Sequence, residues 1–279
     1  MSEPTLRNEP IQIEPIAGAL GAEVSGVDLS RPLDAATRKA IDEAWLEHLV
    51  LFFRDQPLTQ EQHKALALQF GEIFTHPVVQ LLKEEGKPEV FVLESTPERP
   101  FVADNWHTDV TFETEPPSAS ILRAVDVPAS GGDTMWASMF AAYDALSDSM
   151  KRIVGELEAV HDPGFFRLIA KAQGNDVFKG RAPVVHPVVR THPISQRKGL
   201  FVNQTFTQNI VDMKPAESEA LLGFLYQHVA RPEFSCRFRW RKDSIAMWDN
   251  RCTQHRVVSD ALSSYRRMER LTLAGERPV

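Results

Sequence analysis

Short runs of apolar, β-branched and aromatic residues, broken by proline and glycine turns, restrict the fold of this chain more than any other feature. They dominate the sequence from residue 90 onward. Many short strands separated by such turns are typical of two packed antiparallel sheets. The pattern therefore predicts a mainly-β fold with flanking helices, arranged as a jelly roll. The runs occupy residues 90–93, 110–112, 120–124, 188–191, 200–202, 235–241, 245–248 and 270–274.

Helices are predicted near the start of the chain and at two later interruptions of the strand pattern. Asp34 can cap a helix whose apolar residues recur at three- and four-residue steps, after a first strand over 21–29. Thr59 and Gln62 form a predicted capping box for a second helix, after a buried strand over 49–53. The two later helices are predicted over residues 140–160 and 215–229.

The chain contains no internal repeat and no low-complexity segment, and its 279 residues suffice for one full hydrophobic core. We therefore predict a single domain over residues 1–279. Residues 162–182 carry several glycines and lysines with little periodicity. Because long irregular segments are often functional, we predict a mobile lid loop there.

The charge balance argues against a nucleic-acid partner. The net charge is −7 and the isoelectric point is near 5.7, whereas binding to a phosphate backbone needs a clustered positive face. The basic run over residues 238–242 alternates with Phe238 and Trp240, which is typical of a half-buried strand with a solvated outer face.

Cysteine content and hydropathy predict a soluble cytoplasmic protein with no membrane association. Cys236 and Cys252 are too few for a disulfide framework in a chain of this length, so a reducing compartment is expected. Residues 1–15 are polar and proline-bearing, without the features of a secretory signal. No later stretch approaches the roughly 18 uncharged apolar residues of a membrane span.

A histidine and an aspartate two positions apart, His107 and Asp109, lie in a predicted strand over 105–112. Because strand side chains alternate, both would point to one face while Thr108 points away. Two histidines and one carboxylate can hold iron on one face of an octahedron and leave three positions open. The pair therefore predicts two of the three ligands of an iron site, although a His-x-Asp triplet alone also fits a surface pair.

His255, at the end of the segment 248–255, is the candidate third ligand. It follows His107 by 148 positions (255 minus 107), a separation that a jelly roll can close by bringing late strands beside early ones. His186 and His192 each neighbour a proline, and we favour a structural role for both.

Two arginines after His255 strengthen the prediction. Arg266 and Arg270 are four positions apart and therefore share a face in either a strand or a helix. A guanidinium is a natural bidentate partner for a carboxylate, such as the far carboxylate of a 2-oxo diacid that chelates iron. Thr134 could add a hydroxyl donor. The alternative is that these arginines are ordinary surface charges and that Thr134 only begins a strand.

In these residues the chain resembles the taurine dioxygenase group of iron(II)/2-oxoglutarate enzymes, which also includes alkylsulfatase and phenoxyalkanoate dioxygenases. The resemblance extends from residue 21 to residue 275. It implies the double-stranded β-helix, another name for the predicted jelly roll, and a dioxygenase that uses Fe(II), 2-oxoglutarate and O2. Its most specific segments are residues 105–112, 131–136, 186–193 and 248–255.

The resemblance also implies a role for individual residues. His107, Asp109 and His255 match the iron ligands of the family, which are its catalytic residues. Thr134 and Arg266 match the residues that bind the distal carboxylate of 2-oxoglutarate. The substrate-binding positions of the family are matched by His76, the Val110 backbone, Phe206 and Arg270.

The chain departs from the taurine enzymes where those enzymes bind the amine of taurine. Val79 and Ala103 stand where the taurine enzymes carry a tyrosine and an asparagine. Apolar side chains cannot replace the hydrogen bonds that an ammonium group needs when it leaves water. We therefore predict a small organic anion with a more apolar body, such as an alkyl sulfate ester or a longer alkylsulfonate.

The predicted reaction hydroxylates the carbon next to the sulfonate or sulfate ester. The products would be an aldehyde and sulfite or sulfate, together with succinate and CO2. Two alternatives stay open at this point: a dioxygenase of an aryloxyalkanoate or another carboxylate, and a non-catalytic jelly-roll module that binds a metal. The family resemblance further implies a homo-oligomer, either a dimer or a tetramer.

Overall fold

The computed structural model describes residues 10–77, 89–100, 102–172, 174 and 178–279. Within these residues the fold is mainly β with flanking helices, as predicted. None of the described helices is long and apolar enough to cross a membrane. The described strands are β1 Gln12–Pro15, β2 Ala22–Ser25, β3 Val50–Phe53, β4 Ile73–Phe74, β5 Phe91–Ser95, β6 Ala119–Asp126, β7 Thr134–Ser138, β8 Glu158–His161, β9 Val184–Pro187, β10 Val189–Thr191, β11 Lys198–Leu200, β12 Thr207–Ile210, β13 Ser235–Phe238, β14 Ile245–Asp249, β15 Thr253–Val257 and β16 Arg266–Leu273.

The two N-terminal helices begin where their caps predict. The Asp34 side chain accepts hydrogen bonds from the backbone N–H groups of the first turn of α1. Thr59 and Gln62 form the predicted capping box of α2. The described helices are α1 Ala35–His48, α2 Gln60–Leu68, α3 Met139–Asp144, α4 Asp148–Val154, α5 Phe165–Ala172 and α6 Pro215–Val229, with a 3₁₀ turn over Pro232–Phe234.

One large sheet and a smaller three-stranded sheet position the candidate site. The large sheet has the order β1-β2-β3-β14-β6-β16-β4, and β5 pairs with β16 beside β4. The smaller sheet has the order β13-β7-β15. Two further small sheets, β12-β8-β9 and β10-β11, complete the described strands.

Aromatic side chains join the large sheet to the three-stranded sheet. Phe52 of β3 stacks on Phe238 of β13 with ring centroids 4.1 Å apart, and meets Trp136 of β7 edge-on at 5.2 Å. Trp136 in turn lies 5.7 Å from Trp248 of β14. Burying aromatic rings of this size contributes strongly to a core. One cluster of buried residues therefore lies between these two sheets, and a second lies between the large sheet and helices α1 and α2.

Two predicted elements are wrong. The predicted helix over 140–160 is divided into α3 and α4, followed by strand β8, because Ser147 accepts a hydrogen bond from the Met150 N–H and starts a new helix. The predicted strand over 110–112 is a turn, in which Val110 has a left-handed φ of 56° and its carbonyl accepts from the Glu113 N–H. Val79, one of the two positions at which the chain departs from the taurine enzymes, lies outside the described residues.

Candidate active site

The structure brings together His107, Asp109 and His255, the three predicted metal ligands. One ligand atom from each of the three side chains lies within 4.8 Å of the others. The His255 Nε2 is 4.0 Å from the Asp109 Oδ1, and the two imidazole centroids are 4.2 Å apart. Adjacent ligands of an octahedral ion that each lie about 2 Å from it are roughly 3 Å apart, so a bound ion would draw these side chains slightly closer together.

Backbone hydrogen bonds place the two histidines. His107 and His255 form an isolated antiparallel bridge, in which each backbone N–H donates to the carbonyl of the other. His255 belongs to β15, which pairs with β7. Asp109 lies in the turn after the bridge, so the predicted strand over 105–112 is wrong. Alternation of side chains along a strand is therefore not what brings His107 and Asp109 together. The turn is instead anchored by Thr108, whose hydroxyl donates to the Thr253 carbonyl at 2.8 Å.

Burial and neighbouring charges leave the three side chains in the protonation state that a metal needs. Burial lowers the pKa of both His107 and His255, which favours neutral imidazoles. Burial alone would raise the pKa of Asp109, but the Arg270 guanidinium holds it well below its usual range. Neutral imidazole and ionised carboxylate are the metal-binding forms of these groups.

The donor set fits iron(II). His107 Nδ1 lies 2.8 Å from the Asn105 carbonyl, so this nitrogen carries the proton and Nε2 is left as the ligand atom. Two imidazoles and one carboxylate on one face are the ligand set typical of non-haem iron(II) oxygenases.

A second cluster of potential ligands, His192, Asp249 and Cys252, does not fit a metal. The Asp249 carboxylate already accepts hydrogen bonds from His192 and from the Arg251 guanidinium. The other ring nitrogen of His192 accepts from the backbone N–H of Ser195. Because both ring nitrogens of His192 are engaged in hydrogen bonds, this imidazole offers no free lone pair to an ion, and the cluster is a structural network at the end of β14, as expected for His192.

Arg266 is buried, and two of its guanidinium nitrogens have no hydrogen-bond partner. These are Nε and Nη2, and burial lowers the pKa of Arg266 to about 10. A buried cation with free N–H groups is costly unless an anion pairs with it. The Arg266 side chain passes beside Gly132, where an added Cβ would lie 3.5 Å from its Cδ, and Gly132 precedes Thr134 by two residues. The geometry thus fits a carboxylate ligand.

Arg270 lies directly beside the candidate metal ligands. Its Nη1 donates to the Asp109 Oδ1 at 2.7 Å, while its buried Nε has no hydrogen-bond partner. The ring of Phe91 contacts both His76 and Arg270, with centroid distances of 4.9 Å to the His76 ring and 5.0 Å to the Arg270 Cζ. Burial lowers the pKa of His76 to about 3, with Arg270 adding to this effect. The anion site predicted from the sequence therefore adjoins the candidate metal ligands.

A group of aromatic rings borders the other side of His107. Phe206 is buried, and its ring centroid lies 6.5 Å from that of His107. Phe112 lies 5.0 Å from Phe206, while Phe166 of α5 lies 5.9 Å from it. Of these three rings, only Phe206 was predicted from the sequence to line the pocket. Val110 is also buried, in the left-handed turn between Asp109 and Phe112.

The family described as "Taurine catabolism dioxygenase TauD, TfdA family" matches residues 12–272. The chain belongs to this family. It is 39% identical to an alpha-ketoglutarate-dependent sulfate ester dioxygenase of Pseudomonas putida, with 100% of this chain and 96% of the relative covered. It is 36% identical to an alkylsulfatase of Acinetobacter baylyi, with coverages of 96% and 86%. A crystal structure of a taurine dioxygenase from Burkholderia xenovorans superposes with a TM-score of 0.83 at 39% identity, covering 96% of this chain and 92% of that chain.

These comparisons confirm the resemblance predicted from the sequence and the assignment as a 2-oxoglutarate-dependent dioxygenase. Three polar contacts behind the site of this dioxygenase were not predicted from its sequence. The Trp240 indole N–H donates to the Thr134 hydroxyl at 2.9 Å, while Ser120 and Asn250 form hydrogen bonds behind Asp109. One sequence signal existed: Ser120 is a polar residue at the start of an apolar run.

Proposed function

We propose that this dioxygenase hydroxylates the carbon next to a sulfate ester or sulfonate, releasing an aldehyde and sulfate or sulfite while 2-oxoglutarate becomes succinate and CO2. The observation that carries the proposal is the buried Arg270 guanidinium, which touches the candidate metal ligand Asp109. An anion bound to this guanidinium has its adjacent carbon next to the metal. The names of the two relatives, sulfate ester dioxygenase and alkylsulfatase, support the same substrate class.

His107, Asp109 and His255 are the proposed ligands of Fe(II). Bound iron(II), together with 2-oxoglutarate and dioxygen, supplies the oxidising power for the reaction. The protein holds the three ligands on one side, so that three positions remain for the co-substrate and oxygen. The shared backbone bridge of His107 and His255 fixes the spacing of their rings without relying on the ion.

Arg266 and Thr134 are the proposed partners of the distal carboxylate of 2-oxoglutarate. Arg266 offers two buried N–H groups that lack a partner. Because Trp240 donates its indole N–H to the Thr134 hydroxyl, that hydroxyl has its own proton free to donate to the carboxylate. The Arg266 guanidinium supplies the positive charge, and the Thr134 hydroxyl adds a hydrogen bond that orients the carboxylate.

Arg270, His76 and the Val110 backbone are the proposed partners of the anionic group of the substrate. The Arg270 Nε is buried and available as a donor. The aromatic group that includes Phe206 provides an apolar wall. Ala103, which is half-buried, adds no hydrogen-bonding group. An alkyl chain therefore suits this pocket better than an ammonium group does.

An aryloxyalkanoate is the second candidate substrate, because a carboxylate would also pair with the Arg270 guanidinium. Among the described residues, the rings around Phe206 would suit an aryl group. The alternative of a non-catalytic metal module is set aside, since it gives the two free N–H groups of Arg266 no purpose and the chain belongs to a dioxygenase family.

Succinate formation measured with a panel of substrates tests the proposal. We expect turnover with medium-chain alkyl sulfate esters and alkylsulfonates, weaker turnover with taurine, and sulfate or sulfite released in equal amount to succinate. Arg270→Gln should raise the KM for these anions while the KM for 2-oxoglutarate stays within about twofold, since Arg266 holds the co-substrate. Turnover of aryloxy acids alone would overturn the choice of substrate.

We also propose that the strands form the family's jelly roll, the double-stranded β-helix, in one domain over residues 1–279. Contacts between Phe52 and the three-stranded sheet support two sheets packed face to face. The segment 162–182 was predicted as a loop, whereas the structure has helix α5 in it. It is the proposed lid, because Phe166 of α5 reaches the aromatic group at the site. A cytoplasmic location accords with the two buried free cysteines. The homo-oligomer stays a prediction from the family.

A further inference from the structure

Asp109 receives a different hydrogen bond on each of its two carboxylate oxygens. Arg270 Nη1 donates to Oδ1 at 2.7 Å, and the Ser120 hydroxyl donates to Oδ2 at 3.0 Å. The His255 Nε2 lies 4.0 Å from Oδ1. Oδ1 therefore faces the candidate ligand His255, while Oδ2 is turned toward Ser120 on β6.

The direction of every hydrogen bond behind Asp109 follows from the chemistry of the groups. The Trp248 indole N–H can only donate, and it donates to the Asn250 Oδ1 at 2.8 Å. The Asn250 amide must therefore present its Nδ2, a donor, to the Ser120 Oγ, which is 3.1 Å away. Since Ser120 accepts this bond, its single proton is left for Asp109. We name the four residues Trp248, Asn250, Ser120 and Asp109 the Asp109 hydrogen-bond chain.

Paired strands hold the Asp109 hydrogen-bond chain in place. Trp248 of β14 and Ser120 of β6 are directly opposed partners in the large sheet. Asn250 follows β14, and its backbone N–H donates to the Ser118 carbonyl at 2.9 Å. All four residues of the Asp109 hydrogen-bond chain are buried, and Ser120 is completely inaccessible to solvent. Buried polar groups in a fully satisfied network are restricted to a single arrangement.

We infer that Ser120, oriented by Asn250, is a positioning residue that makes Asp109 bind the metal through Oδ1 alone. A carboxylate free to use both oxygens would occupy a fourth position on the ion. With Oδ2 held by Ser120, the three protein ligands leave three positions for 2-oxoglutarate and dioxygen. This inference rests on the proposed metal site.

A purely structural role for Ser120 makes a different prediction. A serine that only satisfies its buried neighbours would change the melting temperature when replaced, without affecting the metal. A positioning residue changes how tightly and in what geometry the ion is held, because residues behind metal ligands typically contribute about 10–100-fold to affinity. Metal affinity and the spectrum of the bound ion therefore distinguish the two roles.

The experiment titrates Co(II), in place of iron(II), into the purified full-length chain under anaerobic conditions. The visible absorption of Co(II) reports both the dissociation constant and the coordination number. We expect Ser120→Ala to weaken Co(II) binding about tenfold or more and to change the intensity of its absorption bands. Ser120→Thr, which keeps the hydroxyl, should restore the spectrum of the unaltered chain.

Ser118→Ala is the matched control, because the Ser118 hydroxyl donates to the Ala274 carbonyl and not to Asp109. It should leave Co(II) binding unchanged. If Ser120→Ala does not fold, Ser120→Cys replaces it, since a thiol is a weak donor of similar size. Co(II) affinity and spectrum equal to those of Ser118→Ala would overturn the inference.

His255→Ala separates this inference from the proposed metal site. If His255→Ala binds Co(II) as the unaltered chain does, the metal site itself is wrong. If His255→Ala loses Co(II) while Ser120→Ala behaves like Ser118→Ala, the site is right and the inference about Ser120 is wrong.

Discussion

The backbones of His107 and His255 are joined by two hydrogen bonds, with N–O distances of 3.0 Å and 2.8 Å. His107 lies outside the described strands, whereas His255 lies within β15. The main chain therefore sets the positions of both imidazoles. Either side chain can be removed without moving the backbone that carries the other.

His107→Ala should abolish tight iron binding while the fold is kept. The remaining two ligands cannot hold the ion on three sides, and the loss should exceed the roughly 10–100-fold that removal of a supporting residue costs. The metal content after dialysis and the melting temperature of the metal-free chain measure the two effects. His48→Ala, at the end of α1 and not among the residues of the candidate site, is the control. Retention of stoichiometric iron by His107→Ala would falsify the assignment.

Arg266→Gln should raise the KM for 2-oxoglutarate by roughly 10–100-fold, because a hydrogen bond to a charged group contributes about 1.5–3 kcal/mol. The affinity of the metal-free chain for Co(II) should be unchanged. Steady-state kinetics with varied 2-oxoglutarate measures the effect. Arg267→Gln is the matched control, since Arg267 is the next residue of β16 and pairs with Glu94. A KM shift of equal size in both variants would contradict the role of Arg266.

The residues proposed from the sequence as metal ligands and anion partners lie close together in the structure, but the local backbone around them was not predicted. The caps of α1 and α2 depend on residues within four positions of each other, and they were predicted correctly. The turn at Val110 was missed because a valine with positive φ goes against the preference of its own side chain. Tertiary contacts around Asp109 impose that conformation.

Residues that support the site only through another residue could also not be predicted from the sequence. Ser120 and Asn250 are 130 positions apart, and only the pairing of β6 with β14 brings them together. Trp240 reaches Thr134 because β13 pairs with β7 and the chain continues past Phe238. Such contacts depend on strand register, which a single sequence does not determine.

Phe166→Ala should lower kcat/KM for long-chain alkyl sulfates about fivefold, with little effect on short-chain ones. The half-buried Phe166 ring contacts the aromatic group at the site, and removing part of an apolar wall costs roughly 1 kcal/mol. Leu168→Ala is the control, since Leu168 is exposed on the same helix. If both chain lengths lose the same factor, Phe166 supports the fold and not the pocket.

The buried His63 should make the stability of the fold depend on pH below about 6.5. Its Nε2 lies 3.2 Å from the Ile121 carbonyl, and burial, aided by Arg123, lowers the pKa of His63 from 6.5 to about 4. Between these two values the unfolded chain binds a proton that the folded chain does not. Stability due to this group is therefore complete above pH 6.5 and is lost as the pH falls toward 4.

His63→Gln isolates this contribution, because other buried histidines titrate in both proteins. The glutamine amide can still donate to the Ile121 carbonyl but binds no proton. Urea unfolding between pH 4.5 and pH 8 should give a steeper loss of stability for the unaltered chain, by up to about 1.4 kcal/mol per pH unit. Above about pH 7 the difference in stability should be constant. Parallel curves throughout would mean that His63 takes up its proton equally in the folded and unfolded chains.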